Sequence, residues 1–189
     1  LDSARVQFLD ALKTRPNYIP ARLALAQVLI ARKEYAAALS AANEILQIDP
    51  ANQYARLIQS QTYLAQEKYA DSRVVLEQAL KDNPNQRDAK YQMGFALFKE
   101  GKLKEAEARF LEIYRADPPD MRGLIGLTEI YSAQKQNEKA LSLLDAAIQK
   151  YPKATGLQLT WATVAVRAGR FDDGLKRYRE ILARSEEHT

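Results

Sequence analysis

Few residues of this 189-residue chain could carry out covalent or acid–base chemistry. It contains no Cys, and its single His, His188, lies in the terminal tail, where a solvated side chain is expected. Acidic pairs occur at 172–173 and 186–187, but adjacent helix residues point in different directions. Nucleophile–base triads and His- or Cys-based metal sites therefore lack their residues, and no Gly-rich phosphate loop is present. We expect no catalytic residue, no metal site and no cofactor.

The elements that position any binding residues are predicted to be helices. Hydrophobic residues make up 47% of the chain and charged residues 28%, with only 7 Gly and 7 Pro. Leu, Ala, Lys, Glu, Gln and Arg dominate, and all of them favour helices. No apolar run approaches the roughly 20 residues that a membrane-spanning helix needs. The composition predicts a soluble, mostly helical chain without a membrane span, and it indicates no compartment.

Charge is nearly balanced along most of the sequence. The formal net charge is +4, and cations equal anions in number within each of residues 19–52, 53–86 and 87–120. A local basic stretch contains Arg167, Arg170, Lys176, Arg177, Arg179 and Arg184, interleaved with Asp172, Asp173 and Glu180. We interpret this stretch as a solvated face, with contact to an acidic partner as the alternative. The chain lacks the clustered excess of cations typical of nucleic-acid binders, so no nucleic-acid partner is expected.

Prolines recur in the sequence with a fixed period. They are spaced 34 residues apart at Pro16, Pro50, Pro84, Pro118 and Pro152. Two columns of small residues keep the same register. If each of these prolines is position 32, then position 8 is occupied by Ala26, Ser60, Gly94, Thr128 and Ala162, and position 20 by Ala4, Ala38, Ser72, Ala106, Ala140 and Gly174. Small residues therefore recur at two fixed positions of the 34-residue period.

This pattern resembles the tetratricopeptide repeat family, and the resemblance covers almost the whole chain. It implies an all-α fold, a right-handed α-solenoid of stacked antiparallel helix pairs. We expect a single domain over residues 1–189. Its predicted parts are a half repeat with helix B alone at 1–18 and full repeats at 19–52, 53–86, 87–120, 121–154 and 155–188.

Turn and cap residues agree with this register. In the first full repeat, helix A is predicted at about 20–32 and helix B at about 35–48. Gly101 and Gly169 are expected in the left-handed conformation that closes an A helix. Asn52 and Asp120 stand where the next helix needs an N-cap.

A second pattern lies within the repeat. Position 11 alternates between tyrosine and smaller residues, and position 27 alternates between alanine and isoleucine in the opposite phase. Close packing favours such volume compensation. We therefore predict that Tyr63 contacts Ala79 and that Tyr131 contacts Ala147, with coincidence over five repeats as the alternative.

The resemblance also implies a binding groove, because helix A lines the concave face in the family. The groove residues carried over to this chain are Leu23, Gln27, Tyr54, Leu57, Gln61, Tyr91, Phe95, Phe98, Arg122, Ile125, Glu129 and Leu159. Most are apolar and aromatics cluster around the middle, as is typical of partner-binding surfaces. The alternative is that some of these residues are hairpin core. Family members that grip a C-terminal carboxylate use polar residues at position 5, which is apolar throughout this chain, so that ligand class is not expected.

The sequence thus predicts a protein–protein interaction scaffold or adaptor that binds a peptide or partner protein and is not an enzyme. The alternatives are a non-catalytic, substrate-positioning or regulatory region of a larger enzyme and, less favoured, an RNA-binding solenoid. Phe8, Leu9 and Leu12 would lack the helix A that normally covers them. We therefore expect either a segment of a longer protein or open ends covered by another molecule, including end-to-end self-association.

Overall fold

The computed structural model describes residues 1–116 and 120–186. Pro118 and His188 lie outside the described residues. Within them the chain forms eleven α-helices and no strand. The helices are α1 (Asp2–Thr14), α2 (Ile19–Ala31), α3 (Tyr35–Ile48), α4 (Gln53–Ala65), α5 (Tyr69–Asp82), α6 (Arg87–Lys99), α7 (Leu103–Ala116), α8 (Met121–Ala133), α9 (Asn137–Lys150), α10 (Thr155–Arg167) and α11 (Phe171–Glu186). The predicted all-α fold is confirmed.

The helices recur with the period of the sequence. Helices α2, α4, α6, α8 and α10 begin at residues 19, 53, 87, 121 and 155, each 34 residues after the last. The first A helix begins and ends one residue earlier than predicted, with Tyr18 as its N-cap and Arg32 as its C-cap. The chain divides into two compact units, residues 1–102 and 103–189.

In the first unit each helix packs on the next, and α2 and α6 also contact α4. One buried cluster joins Ala26, Ala41, Ala42 and Ile58, and another joins Leu25, Leu29 and Ala38. Phe8 and Leu12 of α1 pack against the second cluster and are half-buried, whereas Leu9 stays exposed. The uncovered α1 expected from the sequence is therefore only partly observed, since α2 shields Phe8 and Leu12 but not Leu9.

In the second unit α7 to α11 also pack in chain order, and α8 contacts α10. Its fully buried side chains include Phe110, Leu124, Leu127, Ile130, Leu141, Leu144, Leu157 and Val164.

Of the residues in the two predicted tyrosine–alanine contacts, Ala79, Tyr131 and Ala147 are buried and Tyr63 is half-buried. The two tyrosine–alanine contacts stay predictions.

The small residues lie where helices approach closely. Every described residue of positions 8 and 20 from Ala26 onward is buried. The hydroxyl oxygens of Ser60 and Ser72 lie 2.9 Å apart and share a hydrogen bond between α4 and α5. A Cβ added to Gly174 would lie 2.6 Å from Val166 Cγ2 and 3.0 Å from the carbonyl oxygen of Ala162. Larger side chains at these positions would force the helices apart.

In the described part of the chain, a left-handed residue follows two positions after the last residue of each A helix. Gly101 (φ 77°) and Gly169 (φ 82°) adopt this conformation as predicted. The matching residues of the other three repeats are Lys33 (φ 63°), Glu67 (φ 59°) and Lys135 (φ 59°). Sequence reasoning missed these three, because an αL residue is usually glycine and carries a steric cost in any other type.

Two kinds of side-chain hydrogen bond are found at the starts of A helices. As predicted, Asn52 Oδ1 accepts a hydrogen bond from the Ala55 amide at 3.0 Å, and Asp120 Oδ1 accepts one from the Arg122 amide at 3.1 Å.

The second kind was not predicted. Arg56 and Gln158, both at position 4, donate to the carbonyls of Pro50 and Pro152 at 2.8 and 2.7 Å, and Arg22 donates to Pro16 in the same way. Pro16, Pro50 and Pro152 are thus each hydrogen-bonded to the helix that follows them.

Candidate functional site

The A helices of the first unit form a cleft. It encloses about 290 Å³ and lies between α2, α4 and α6. It is lined by Leu23, Gln27, Tyr54, Leu57, Ile58, Gln61, Asp88 and Gln92, and we call it the inner cleft. Five of the predicted groove residues line it together: Leu23, Gln27, Tyr54, Leu57 and Gln61. Its volume is at the lower end of the range for ligand pockets, about 300–1,000 Å³.

The apolar lining of the inner cleft has a buried floor and an exposed rim. Leu57 and Ile58 of α4 are buried, and Leu23 of α2 is half-buried beside them. Tyr54 lies one turn before Ile58 and is 66% exposed. An apolar group entering the cleft would therefore meet leucine and isoleucine side chains below and a tyrosine at the edge.

The polar lining consists of three glutamine amides and the carboxylate of Asp88. The side chains of Gln27, Gln61 and Gln92 form no hydrogen bond to a described residue, and Gln92 Oε1 is buried without a donor. An amide both donates and accepts hydrogen bonds, and a buried acceptor left unpaired is unfavourable. Gln92 was not predicted as a site residue. Its signal in the sequence was its position on the same inner face as Gln61, on the next A helix.

The aromatic residues of α6 lie outside the lining of the inner cleft. Tyr91, Phe95 and Phe98 are half-buried. The ammonium group of Lys99 lies 5.3 Å from the ring centre of Phe95 and 5.9 Å from that of Phe98. Such cation–π contacts hold a lysine over the aromatic faces, so an incoming ligand would meet this cation together with the rings.

In the second unit, the predicted charged groove residues already have partners. Arg122 Nε donates to Asp120 Oδ1 at 2.9 Å, and its Nη2 donates to Oδ2 at 2.7 Å. Glu129 accepts from Arg167 at 3.2 Å. These pairs reduce the charge available to a ligand at both residues.

The predicted apolar groove residues of the second unit are both exposed. Ile125 lies on α8 and Leu159 on α10, and these two helices contact each other. Both residues occupy position 5 of their repeats, the position that Leu23 and Leu57 occupy in the first unit. The second unit thus offers an apolar contact surface beside ion pairs within the chain.

Neither a metal cluster nor a membrane helix is found in the part of the chain that the structure describes. No group of three or more His, Cys, Asp or Glu side chains there could hold a metal ion. None of the described helices is both long enough and apolar enough to cross a membrane.

Comparison with models of known protein families identifies the type of repeat. Two sequence profiles, both described as tetratricopeptide repeat, match residues 1–61 and 63–127 and residues 124–154. The chain belongs to the tetratricopeptide repeat family. Proteins of this family are typically protein-interaction scaffolds and generally non-catalytic.

A curated relative of this tetratricopeptide repeat chain is anaphase-promoting complex subunit 3 of Schizosaccharomyces pombe. The two sequences are 25% identical over 174 residues, which is 92% of this chain and 26% of the relative. The chain therefore spans about a quarter of the length of that protein.

Solved structures share the fold. A thermophilic tetratricopeptide repeat protein of Thermus thermophilus superposes with a TM-score of 0.76 at 21% identity, covering 87% of this chain and 90% of that one. One from Parabacteroides merdae gives 0.75 at 15% identity, with 96% and 72% covered. YrrB, described as having an unusual peptide-binding site, gives 0.59 at 17% identity, with 93% and 91% covered.

Proposed function

We propose that this chain is an interaction scaffold whose inner cleft binds an extended segment of a partner polypeptide. The observation that carries the proposal is the lining of the cleft, which combines an apolar floor with three glutamine amides that have no partner among the described residues. An extended backbone presents alternating N–H and C=O groups, and glutamine amides can pair with both. An apolar side chain of the same segment would rest on Leu23 and Leu57.

The relatives support an interaction role. Members of the family are typically scaffolds, one relative is a subunit of a multiprotein complex, and the description of YrrB names a peptide-binding site. By analogy, this chain would hold a polypeptide rather than transform a substrate. The division into repeats 19–52 to 155–188, after a half repeat at 1–18, is part of the proposal, and the evenly spaced helix starts support it.

The predicted groove residues outside the inner cleft have secondary roles in this proposal. Tyr91, Phe95 and Phe98 would contact the partner beside the cleft in the first unit. Ile125 and Leu159 would provide a separate apolar contact in the second. Arg122 and Glu129 would act mainly through the ion pairs that orient them.

A peptide array tests the location of the site. The chain is applied to immobilised random short peptides, and the tightest binder is measured by calorimetry against two variants. Tyr54 and Val74 are both 66% exposed, but only Tyr54 lines the cleft, so Val74→Ala is a matched control for Tyr54→Ala. We expect Tyr54→Ala to weaken binding by about 30-fold, as an anchoring tyrosine would, and Val74→Ala to leave it unchanged. Equal affinities for both variants would refute the site.

A second measurement tests recognition of the backbone. Single N-methyl groups along the bound peptide remove one donor at a time, and the loss should peak at residues facing the glutamines. In Gln92→Ala, the loss at one such position should shrink, since the paired group is already gone. Additive losses at every position would mean that the amides do not bind the backbone.

A further inference from the structure

The first unit has a second recess, a trough between α1 and α3. Both helices pack on α2, which forms the floor of the trough. The trough encloses about 690 Å³, against about 290 Å³ for the inner cleft. We call it the outer trough, and its apolar lining consists of Val6, Leu9, Leu12, Leu25, Leu29, Ala37 and Ala41.

The outer trough and the inner cleft lie on opposite sides of α2. Leu25 and Leu29 line the trough, whereas Leu23 and Gln27 line the cleft. Residues two positions apart on a helix are rotated by about 200° around its axis. A ligand in one recess therefore leaves the other recess free.

The trough has a buried floor and an exposed edge. Leu25 and Leu29 of α2 are 7% and 4% exposed, and Ala41 of α3 is 6% exposed. Val6 and Leu9 of α1 form the edge and are 57% and 38% exposed. An apolar group that entered the trough would cover this edge, and the burial of apolar surface is favourable.

The exposure of Val6 and Leu9 belongs to their positions in the repeat, 22 and 25. Helices α3, α5 and α9 are each packed between two other helices. At the same two positions these helices carry Ser40, Asn43, Val74, Glu77, Ser142 and Asp145, and all six are exposed. Packing between neighbouring helices therefore leaves positions 22 and 25 open to solvent.

Residue types that differ from the later repeats make the trough apolar and open. Leu9 and Leu25 correspond to Asn43 and Gln59 one period later, where Gln59 Nε2 donates a hydrogen bond to Asn43 Oδ1 at 2.7 Å. Ala41 occupies position 23, where the later repeats carry Val75, Arg109, Leu143 and Arg177. The small side chain of Ala41 leaves space that a larger residue would fill.

Charges around the trough are already paired within the chain. Each cation of the lining lies near a carboxylate: Lys13 pairs with Asp10 at 2.8 Å, Arg22 with Glu44, and Arg5 with Glu34 at 3.9 Å. A charged occupant would have to compete with these pairs, whereas an uncharged apolar surface would leave them intact. The charge pattern therefore favours an occupant whose contact face is uncharged.

The backbone of an occupant decides between a helix and an extended segment. An extended segment would bury its N–H and C=O groups against leucine side chains that cannot pair with them, which is unfavourable. A helix satisfies these groups internally. The lining of α1 runs from Arg5 to Lys13, which is about 12 Å or two turns of helix.

We propose that the outer trough docks an amphipathic helix of a partner protein whose contact face is apolar and uncharged. About two turns of this helix lie along α1 and cover Val6 and Leu9. Its side chains enter the trough above Leu25 and Leu29 and take the space left by Ala41. This site does not depend on the proposed role of the inner cleft.

A library of fluorescent, cross-linked helical peptides tests the proposal by anisotropy. Each peptide carries Leu, Ile, Met or Phe at positions i, i+3, i+4 and i+7 and Ala or Gln elsewhere. We expect a central proline, which breaks the helix, to weaken binding of the tightest peptide by at least about 10-fold. Added salt should change the affinity by less than about twofold, because the contact is uncharged.

Matched variants locate the site. Val6 and Val74 both occupy position 22 and are both exposed, but only Val6 lines the trough. Val6→Glu should weaken binding by at least about 10-fold, because it buries a carboxylate without a partner, and Val74→Glu should leave binding unchanged. Ala37→Trp, a change at an exposed residue, should fill the trough and block the peptide, while Tyr54→Ala should have no effect.

Several results would overturn the proposal. They are the absence of any binder, equal affinity of the proline peptide, equal effects of Val6→Glu and Val74→Glu, or full binding by Ala37→Trp with its helical circular dichroism retained. A steep loss of affinity with added salt would contradict the uncharged contact face.

The protein in its natural full length shows whether the trough is free. Hydroxyl-radical footprinting should find Val6 and Leu9 reactive without the peptide and protected with it. Protection in its absence would mean that another segment of the chain, or a second copy, occupies the trough, and the proposal would then fail. Sedimentation at two concentrations would distinguish those two occupants.

Discussion

Two helix contacts in this repeat protein achieve close approach by different means. Between α4 and α5, the buried hydroxyls of Ser60 and Ser72 meet at 2.9 Å. Between α7 and α8, glycines remove the side chain altogether. A Cβ at Gly123 would lie 2.6 Å from the Tyr114 backbone nitrogen, and one at Gly126 would lie 2.4 Å from the Phe110 ring.

The difference shows how strictly each contact constrains the position of a helix that carries predicted groove residues. Helix α4 carries Tyr54, Leu57 and Gln61, and α8 carries Ile125. A pair of small polar side chains can be replaced together, because both hydrogen-bonding partners disappear at once. A backbone contact cannot adjust in this way. Replacing both partners together should therefore be tolerated between α4 and α5, whereas a larger residue should be destabilising between α7 and α8.

The largest effect is expected at Gly123. Gly123→Ala should lower the free energy of unfolding by about 3 kcal/mol, since the added methyl meets backbone atoms of α7 and overpacks the contact. Gly156→Ala is the control, because a Cβ there meets nothing within 4 Å, and it should stabilise α10 by about 0.5–1 kcal/mol. Urea denaturation followed by circular dichroism measures both. Equal free energies of unfolding for Gly123→Ala and Gly156→Ala would show that α7 and α8 can move apart at little cost in free energy.

The serine pair should give a smaller, non-additive effect. Ser60→Ala leaves the Ser72 hydroxyl buried without this partner and should cost about 1–2 kcal/mol. The double variant Ser60→Ala/Ser72→Ala should recover most of that loss. Thermal and urea denaturation of all four proteins complete the cycle. Additive losses would contradict the tolerance inferred for this contact.

The left-handed residues after the A helices allow a second comparison, between glycine and other residue types at a positive φ. Lys135→Gly should stabilise the chain by about 1 kcal/mol, because φ is +59° there and glycine has no steric penalty at that angle. Gly169→Ala, at φ +82°, should destabilise it by a similar amount. Urea midpoints of the two variants should shift in opposite directions. A shift in the same direction would mean that local contacts outweigh backbone strain.

The smallest effect concerns Glu100 and depends on pH. Hydrogen bonds from Lys102 and then Arg73 keep the pKa of this carboxyl below its ordinary value, against an opposing effect of burial. A depressed pKa adds stability that is present above the ordinary glutamate pKa of about 4.3 and is lost as pH falls through the lower, folded-state value. Glu100→Gln should therefore be less stable than the parent at pH 7 and should approach it at low pH.

The exposed Glu105 of α7 provides the control for this measurement. Urea denaturation of Glu105→Gln should show little change across the same pH range. A Glu100→Gln deficit that persists at low pH would mean that the carboxamide disturbs packing rather than charge.

The sequence by itself determined the fold and much of the inner cleft. A 34-residue proline period and small residues in register predicted helix pairs, and Asn52, Asp120, Gly101 and Gly169 adopt their predicted cap and turn roles. Five of the predicted groove residues line the cleft. They could be predicted because the family resemblance assigns the A helices to one face, and because the spacing of side chains along one helix depends only on the local sequence. The roles of all twelve predicted residues in binding a partner stay predictions.

Only the tertiary structure decided how side chains from different helices pair. It placed Glu129 of α8 in an ion pair with Arg167 of α10, added Gln92 to the cleft and placed Gly123 against the backbone of α7. These outcomes depend on distances between atoms of separate helices, which a periodic pattern does not specify. Lys135 shows that sequence reasoning has the same limit within a turn. The geometry of the repeat gives this residue a positive φ, although lysine rarely adopts that conformation.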